Sequence, residues 1–129
     1  MKSISTLMTI AMLTIGGSAR AEIWSAGPAY PGNPTNGSVT CRIFNAGLNA
    51  VTVVTREIFE NGNTTPVGLS SDTCATAVPS LGYCAFVASA AGNFAYSCRV
   101  ITNGTDDNIS GVIEVRAYNG FSAILPLHK

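Results

Sequence analysis

Charge is scarce in this 129-residue chain: Asp, Glu, Lys and Arg make up 11% of it, less than half the ~25% usual for globular proteins. Seven basic side chains cancel seven acidic ones. No basic stripe is left to displace phosphate counterions, which excludes nucleic acid as a partner. Histidine occurs once, as His128 beside the C-terminus, where chains are commonly mobile, so Ser-His-Asp and Cys-His catalysis have no placed base. The G-x-S-x-G, H-E-x-x-H and glycine-rich phosphate motifs are missing, as is any run of the ~20 apolar residues that a membrane span needs. Four cysteines are present, but without the short C-x-x-C turns that usually supply zinc ligands. The expectation is no catalytic residue, no metal and no cofactor.

What is present begins with an address. Lys2 gives a positive start, positions 4–15 are apolar or small, and Ala19-Arg20-Ala21 offers small residues at the two positions a signal peptidase reads. Residues 1–21 read as a bacterial-type Sec leader and Glu22 as the start of a secreted or periplasmic chain. No Cys stands at that junction to carry a lipid anchor. Loss of Lys2 and Arg20 leaves five basic against seven acidic side chains. The rest divides into an extended N-terminal segment, 22–38, containing Pro28, Pro31 and Pro34, and a domain over 39–129.

That domain reads as β throughout. Runs at 39–44, 51–59, 83–89, 94–102, 109–118 and 121–127 are rich in β-branched and aromatic residues. Asn61-Gly62, Gly92-Asn93, Asn103-Gly104 and Asn119-Gly120 punctuate them with residues that tolerate positive φ. No stretch keeps a 3.6-residue period. Strands this closely spaced predict a sandwich or barrel.

In an exported chain four cysteines read as two disulfides. Thr40-Cys41-Arg42-Ile43 and Ser97-Cys98-Arg99-Val100 echo each other. With a period of two, both cysteines point inward and both arginines outward. Cys41 is therefore paired with Cys98 across facing layers, and Cys74 with Cys84 around a local loop. In the last hairpin a two-residue turn would set Val115 opposite Ile124 and separate two apolar faces, whereas a one-residue slip at Gly120 would reunite them.

Tyr96-Ser97-Cys98 resembles the Tyr two residues before the second core Cys of immunoglobulin-like sandwiches, and Cys41 fits the first. Val53 and Val54 stand where that family carries its core Trp, so the resemblance is to a distant member: a two-layer antiparallel immunoglobulin-like sandwich stapled by two disulfides. The chain is also similar to small exported proteins of Gram-negative bacteria.

Candidate sites are few. Trp24 and Tyr30 are expected to plug an open end of the sandwich or to face a partner. Phe44 points outward by parity and Phe59 closes the next strand; together they would make a binding patch unless a bulge buries them. Glu57 and Glu60, and Glu114 near Arg116, read as solvated strand faces rather than a glycosidase pair. Asp106, Asp107 and Asn108 gather oxygens in one turn without the spaced calcium-loop pattern. Asn36, Asn63, Asn103 and Asn108 begin N-x-S/T triplets and read as turns.

The function expected is an exported, non-catalytic interaction or adhesion-type module, presenting loops such as 70–82 to an unknown protein or glycan partner. The alternatives are a self-associating surface subunit, because 123–127 carries no charge to discourage edge pairing, and a small secreted inhibitor using the 74–84 loop.

Overall fold

The computed structural model describes residues 21–30, 36–103, 108–118, 120 and 122–129. The leader before position 21 lies outside them, as do Pro31, Pro34, Gly104, Asp106, Asp107, Asn119 and Phe121. Eight strands are formed: β1 (Ala21–Ala29), β2 (Gly37–Asn45), β3 (Thr52–Glu60), β4 (Ser71–Asp72), β5 (Tyr83–Ala90), β6 (Tyr96–Asn103), β7 (Ile109–Arg116) and β8 (Ser122–Pro126). They build two antiparallel sheets, of order β1-β6-β3 and β4-β5-β2-β7-β8, and there is no helix among the described residues.

Alternation along each strand makes the core. Val39, Cys41 and Ile43 of β2, Cys84, Phe86 and Ala88 of β5, and Ile113 and Val115 of β7 are buried from one sheet. They face Trp24 and Ala26 of β1, Val53 and Ile58 of β3, and Cys98 and Val100 of β6. The intervening residues of β2, Arg42 and Phe44, are turned to solvent. Cys41 and Cys98 bridge the two sheets with their Cα atoms 6.5 Å apart, and Cys74 and Cys84 close the local loop at 5.0 Å, both as parity and spacing led one to expect. Two disulfides suit an oxidising compartment.

Tyr96 is buried, and its hydroxyl donates to the Ala91 carbonyl and accepts from the Ala91 amide, each at 3.0 Å. One phenol thus satisfies both backbone groups of Ala91 at the β5–β6 corner.

Two expectations are corrected. The segment 22–38 does not lie apart from the sandwich. Residues Ala21–Ala29 form β1, which pairs with β6 from Ala21↔Asn103 to Ala29↔Tyr96 across a bulge between Ala26 and Ala29. The bulge contains Gly27, at φ +112°, where a Cβ would lie 2.7 Å from the Tyr96 carbonyl oxygen. Proline is tolerated here because β1 is an edge strand. A main-chain bridge between Ser25 and His128 then ties β1 to the C-terminal segment.

The second correction concerns β3. A bulge between Val53 and Thr55 leaves Val54 exposed and changes the parity, so that Val53 and Ile58 both point inward. Phe59 is thereby turned to the outer side, opposite Ser97. A bulge was expected to bury this aromatic; it does the reverse.

In the final hairpin Val115 lies opposite Ala123 and Ile113 opposite Leu125. This is the one-residue slip, and it places Ala123, Leu125 and Leu127 on the core side.

Candidate functional site

The outer face of the five-stranded sheet carries a groove near one end of the sandwich. Antiparallel pairing sets Tyr83, Phe44 and Ser110 in one row, and Ala85, Arg42 and Val112 in the next. Directly opposed residues of antiparallel strands share a face. Large residues therefore alternate with the small Ser110 and Ala85, leaving a cavity of about 300 Å³ lined by Arg42, Phe44, Tyr83 and Val112, with Gly111 beneath. Gly111 is required there, since a Cβ would come within 2.4 Å of the Arg42 carbonyl oxygen. Tyr83 is 76% exposed and Phe44 40%.

The adjoining loops extend this apolar surface. Leu48, between β2 and β3, is 93% exposed, and Leu81, between β4 and β5, is 72% exposed. Neither loop is loose. Asn45 is fully buried and its amide donates to the carbonyls of Asn49, Val78 and Pro79, while its side-chain oxygen accepts from the Gly47 amide. Ser80 donates to the Gly47 carbonyl at 2.6 Å, and the main-chain N–H of Asn45 to the Gly82 carbonyl at 2.9 Å. The Cys74–Cys84 bond closes the same loop. Leu81 adopts φ +57°, a left-handed conformation that costs a bulky residue about 1–3 kcal/mol and persists only where surroundings impose it. Positions 43–51 and 76–84 contain no charged residue.

Charge lies further along the sheet. Arg42 and Arg116 both donate to Glu114, at 2.6 and 2.8 Å. The hydrogen bond from Arg42, and then that from Arg116, hold the Glu114 carboxyl below its ordinary value of 4.5, against the opposing effect of burial. Both guanidiniums stay half exposed or more, at 50% and 64%. Two cations thus share one anion.

The other aromatics fare differently. Phe59 lies on the outer face of the three-stranded sheet, so Phe44 and Phe59 occupy opposite sides of the molecule and form no common patch. The Arg99 guanidinium lies 5.1 Å from the centre of the Phe59 ring and pairs with Glu57 at 2.5 Å. Trp24 is 7% exposed and belongs to the core; Lys129 sits 5.5 Å from its ring and pairs with Glu22 at 2.5 Å. The Trp24 ring is packed within the core cluster rather than standing on the surface. Tyr30 hydrogen-bonds Asn93. Glu57 and Glu114 hold arginines, and Glu60 accepts from Asn63. No group of three potential metal ligands occurs among the described residues; of the suggested calcium turn only Asn108 is described.

Sequence reasoning placed Phe44 outward, as it is, and did not single out Tyr83, Leu48 or Leu81. Their signals were legible. Tyr83 precedes the inward Cys84, and the two leucines stand inside Gly47-Leu48-Asn49 and Ser80-Leu81-Gly82, turn stretches with no partner side chain of their own.

The chain matches no family model, no curated protein and no solved structure.

Proposed function

We propose that the chain is an exported, non-catalytic interaction module that binds a protein partner through the apolar end formed by Leu48, Leu81, Phe44 and Tyr83. The observation that carries this reading is the pair of exposed leucines on loops locked together through Asn45 and Ser80. Burying two such side chains in a partner is worth about 1.5–3 kcal/mol each, and rigid loops lose little freedom on binding. A glycan would require convergent polar donors, and this end presents few. The leader read at 1–21 delivers the module to the oxidising compartment its disulfides suit.

A distant immunoglobulin-like architecture supports the same reading. Strands β4-β5-β2 and β3-β6 follow the pairing of the central strands in that family, and Tyr96 makes the corner contact its position implies. Strand β7 departs by pairing with β2 instead of β6.

The test uses residues 22–129 with a photo-reactive phenylalanine analogue at position 48 or 81, incubated with the exported proteins of the source organism. One saturable adduct is expected, suppressed by excess unlabelled protein and not by the Leu48→Asp/Leu81→Asp variant. Absence of any competed adduct overturns the reading.

Self-association is the second reading, favoured by β8. It is the uncharged last strand of the five-stranded sheet, with Ile124 59% and Leu125 37% exposed on its two sides. Sedimentation of a clean monomer at ~100 μM, where weak pairing of edges is populated, would remove it.

A further inference from the structure

The groove beside Phe44 has a chemistry of its own, and assigning its occupant deepens, and rests on, the reading of this end as the partner surface. Its volume of about 300 Å³ is at the bottom of the range for small-molecule sites, so it has room for a side chain rather than a cofactor. Its walls are the rings of Phe44 and Tyr83 and the methyls of Val112; its floor is the backbone around Ile43 and Gly111. Those walls call for a large apolar group.

The remaining wall is Arg42. Strand pairing places Arg42, Glu114 and Arg116 on the outer face, and no other charged side chain of β2, β4, β5, β7 or β8 among the described residues shares it. Arg116 occupies one oxygen of Glu114 and Arg42 the other. Among the described residues of these strands, one positive charge therefore remains uncompensated on this face. Residues 22–129 as a whole carry two more acidic than basic side chains, five against seven. The local surplus is opposite in sign to the domain that bears it, and it borders the apolar groove beside Phe44. A half-exposed guanidinium can still offer N–H donors to a carboxylate beside the groove.

We propose that the groove receives a large apolar side chain of a partner protein whose neighbouring residue is acidic, the apolar group lying between Phe44 and Tyr83 and the carboxylate meeting Arg42. Such a peptide is recognised by shape from the rings and by sign from the arginine, so an amide in place of the carboxylate weakens it and a cation is rejected.

The experiment is an amide chemical-shift titration of disulfide-intact residues 22–129 with three probes: acetyl-Glu-Phe-Glu-amide, acetyl-Gln-Phe-Gln-amide and acetyl-Lys-Phe-Lys-amide. The expected result is saturable shifts at Phe44, Ala85, Ser110 and Val112 with the acidic probe, at Kd of order 1 mM. The Gln probe should bind about fivefold more weakly, the increment of a partly exposed charge pair. Arg42→Gln should abolish this preference and Arg42→Lys retain it, while Arg99→Gln on the opposite sheet leaves it unchanged. Equal binding of the three probes, shifts confined to the Phe59 face, or no saturation by ~10 mM overturns the proposal. So do shifts at these amides with chitotriose or phosphatidylglycerol vesicles and none with peptide, which assign the groove to a glycan or a membrane. Loss of the competed adduct at position 48 or 81 while the acidic probe still binds would sink the loop reading alone.

Discussion

The two outer faces of the sandwich were built from the same materials and put them to opposite use. On the three-stranded side Arg99 pairs with Glu57 and lies over Phe59, so one cation is matched by one anion and the aromatic is covered. On the five-stranded side Arg42 turns to Glu114, which Arg116 also claims, so charge is left over and Phe44 stays open beside Tyr83. Both arginines follow a core cysteine in a Cys-Arg step and both face outward by parity. What separates them is the residue across the strand. Arg99 is opposite Glu57, whereas Arg42 has Ala85 and Val112 as neighbours and must reach diagonally to Glu114. A face closes or stays available according to that one pairing.

The largest way to break the comparison is to unbolt the faces from each other. On the loop-closure relation, replacing Cys41 and Cys98 together by Ala should cost about 4 kcal/mol, and replacing Cys74 and Cys84 about 3. Urea denaturation of each pair measures this. The effects should also differ in place. Hydrogen exchange in the first variant should quicken in both sheets, and in the second chiefly at 74–84 and the 46–50 loop tied to it. Uniform loosening by loss of Cys74–Cys84 would mean that the apolar end is not held separately.

Next in size is the shared anion. Glu114→Gln takes the carboxylate that both arginines share, and a loss of about 1–2 kcal/mol is expected, discounted for the exposure of both guanidiniums; Glu57→Gln should cost about 0.5. The pH dependence has a fixed sign. The carboxyl of Glu114 titrates below 4.5 when folded, so its contribution is complete above the unfolded value and disappears as the pH falls through the folded one. Urea midpoints should therefore drop as the pH falls below the ordinary carboxylate range in the native chain, and less steeply in Glu114→Gln. An unaltered slope in the variant would show that the double pairing does not persist in solution.

These contrasts also mark how far the sequence could be read. Inward cysteines, outward arginines and both disulfides followed from a two-residue period, a local property. The register of β8 was narrowed to two choices, and burial of Leu127 beside Gly111 decides between them. Strand β1 was missed because Pro28, Pro31 and Pro34 dominate its neighbourhood, while its partners lie far along the chain, Trp24 opposite Val100. The common patch of Phe44 and Phe59 failed for a similar reason: β3 pairs with β6 rather than with β2, so the two aromatics stand on different sheets, and the Val53–Thr55 bulge that turns Phe59 outward is settled by what the far strand can accept, not by the strand that contains it. Leu48 and Leu81 were readable in retrospect as apolar residues stranded in turns, but that their loops are tied to each other depends on Asn45 joining two segments distant in sequence.

Smaller still are the effects at the rings' own neighbours. Arg99→Gln removes an ion pair and the cation over Phe59 together, about 1 kcal/mol, whereas Arg42→Gln leaves Glu114 its bond to Arg116 and should cost no more than about 0.5.

Tyr83→Ser is the smallest and sharpest. A tyrosine 76% exposed has given little area to the fold, and β5 keeps its pairing with β2 whatever side chain stands at this position. Stability should shift by less than about 0.5 kcal/mol, as at most surface sites. The same substitution strips one wall from the groove, so the acidic phenylalanine peptide should lose its affinity while the urea midpoint stays put. That separation of binding from stability is what an open face predicts and a covered one forbids. A loss above about 1 kcal/mol on Tyr83→Ser would place the ring against the protein in solution, and the five-stranded face would then be closed like its counterpart.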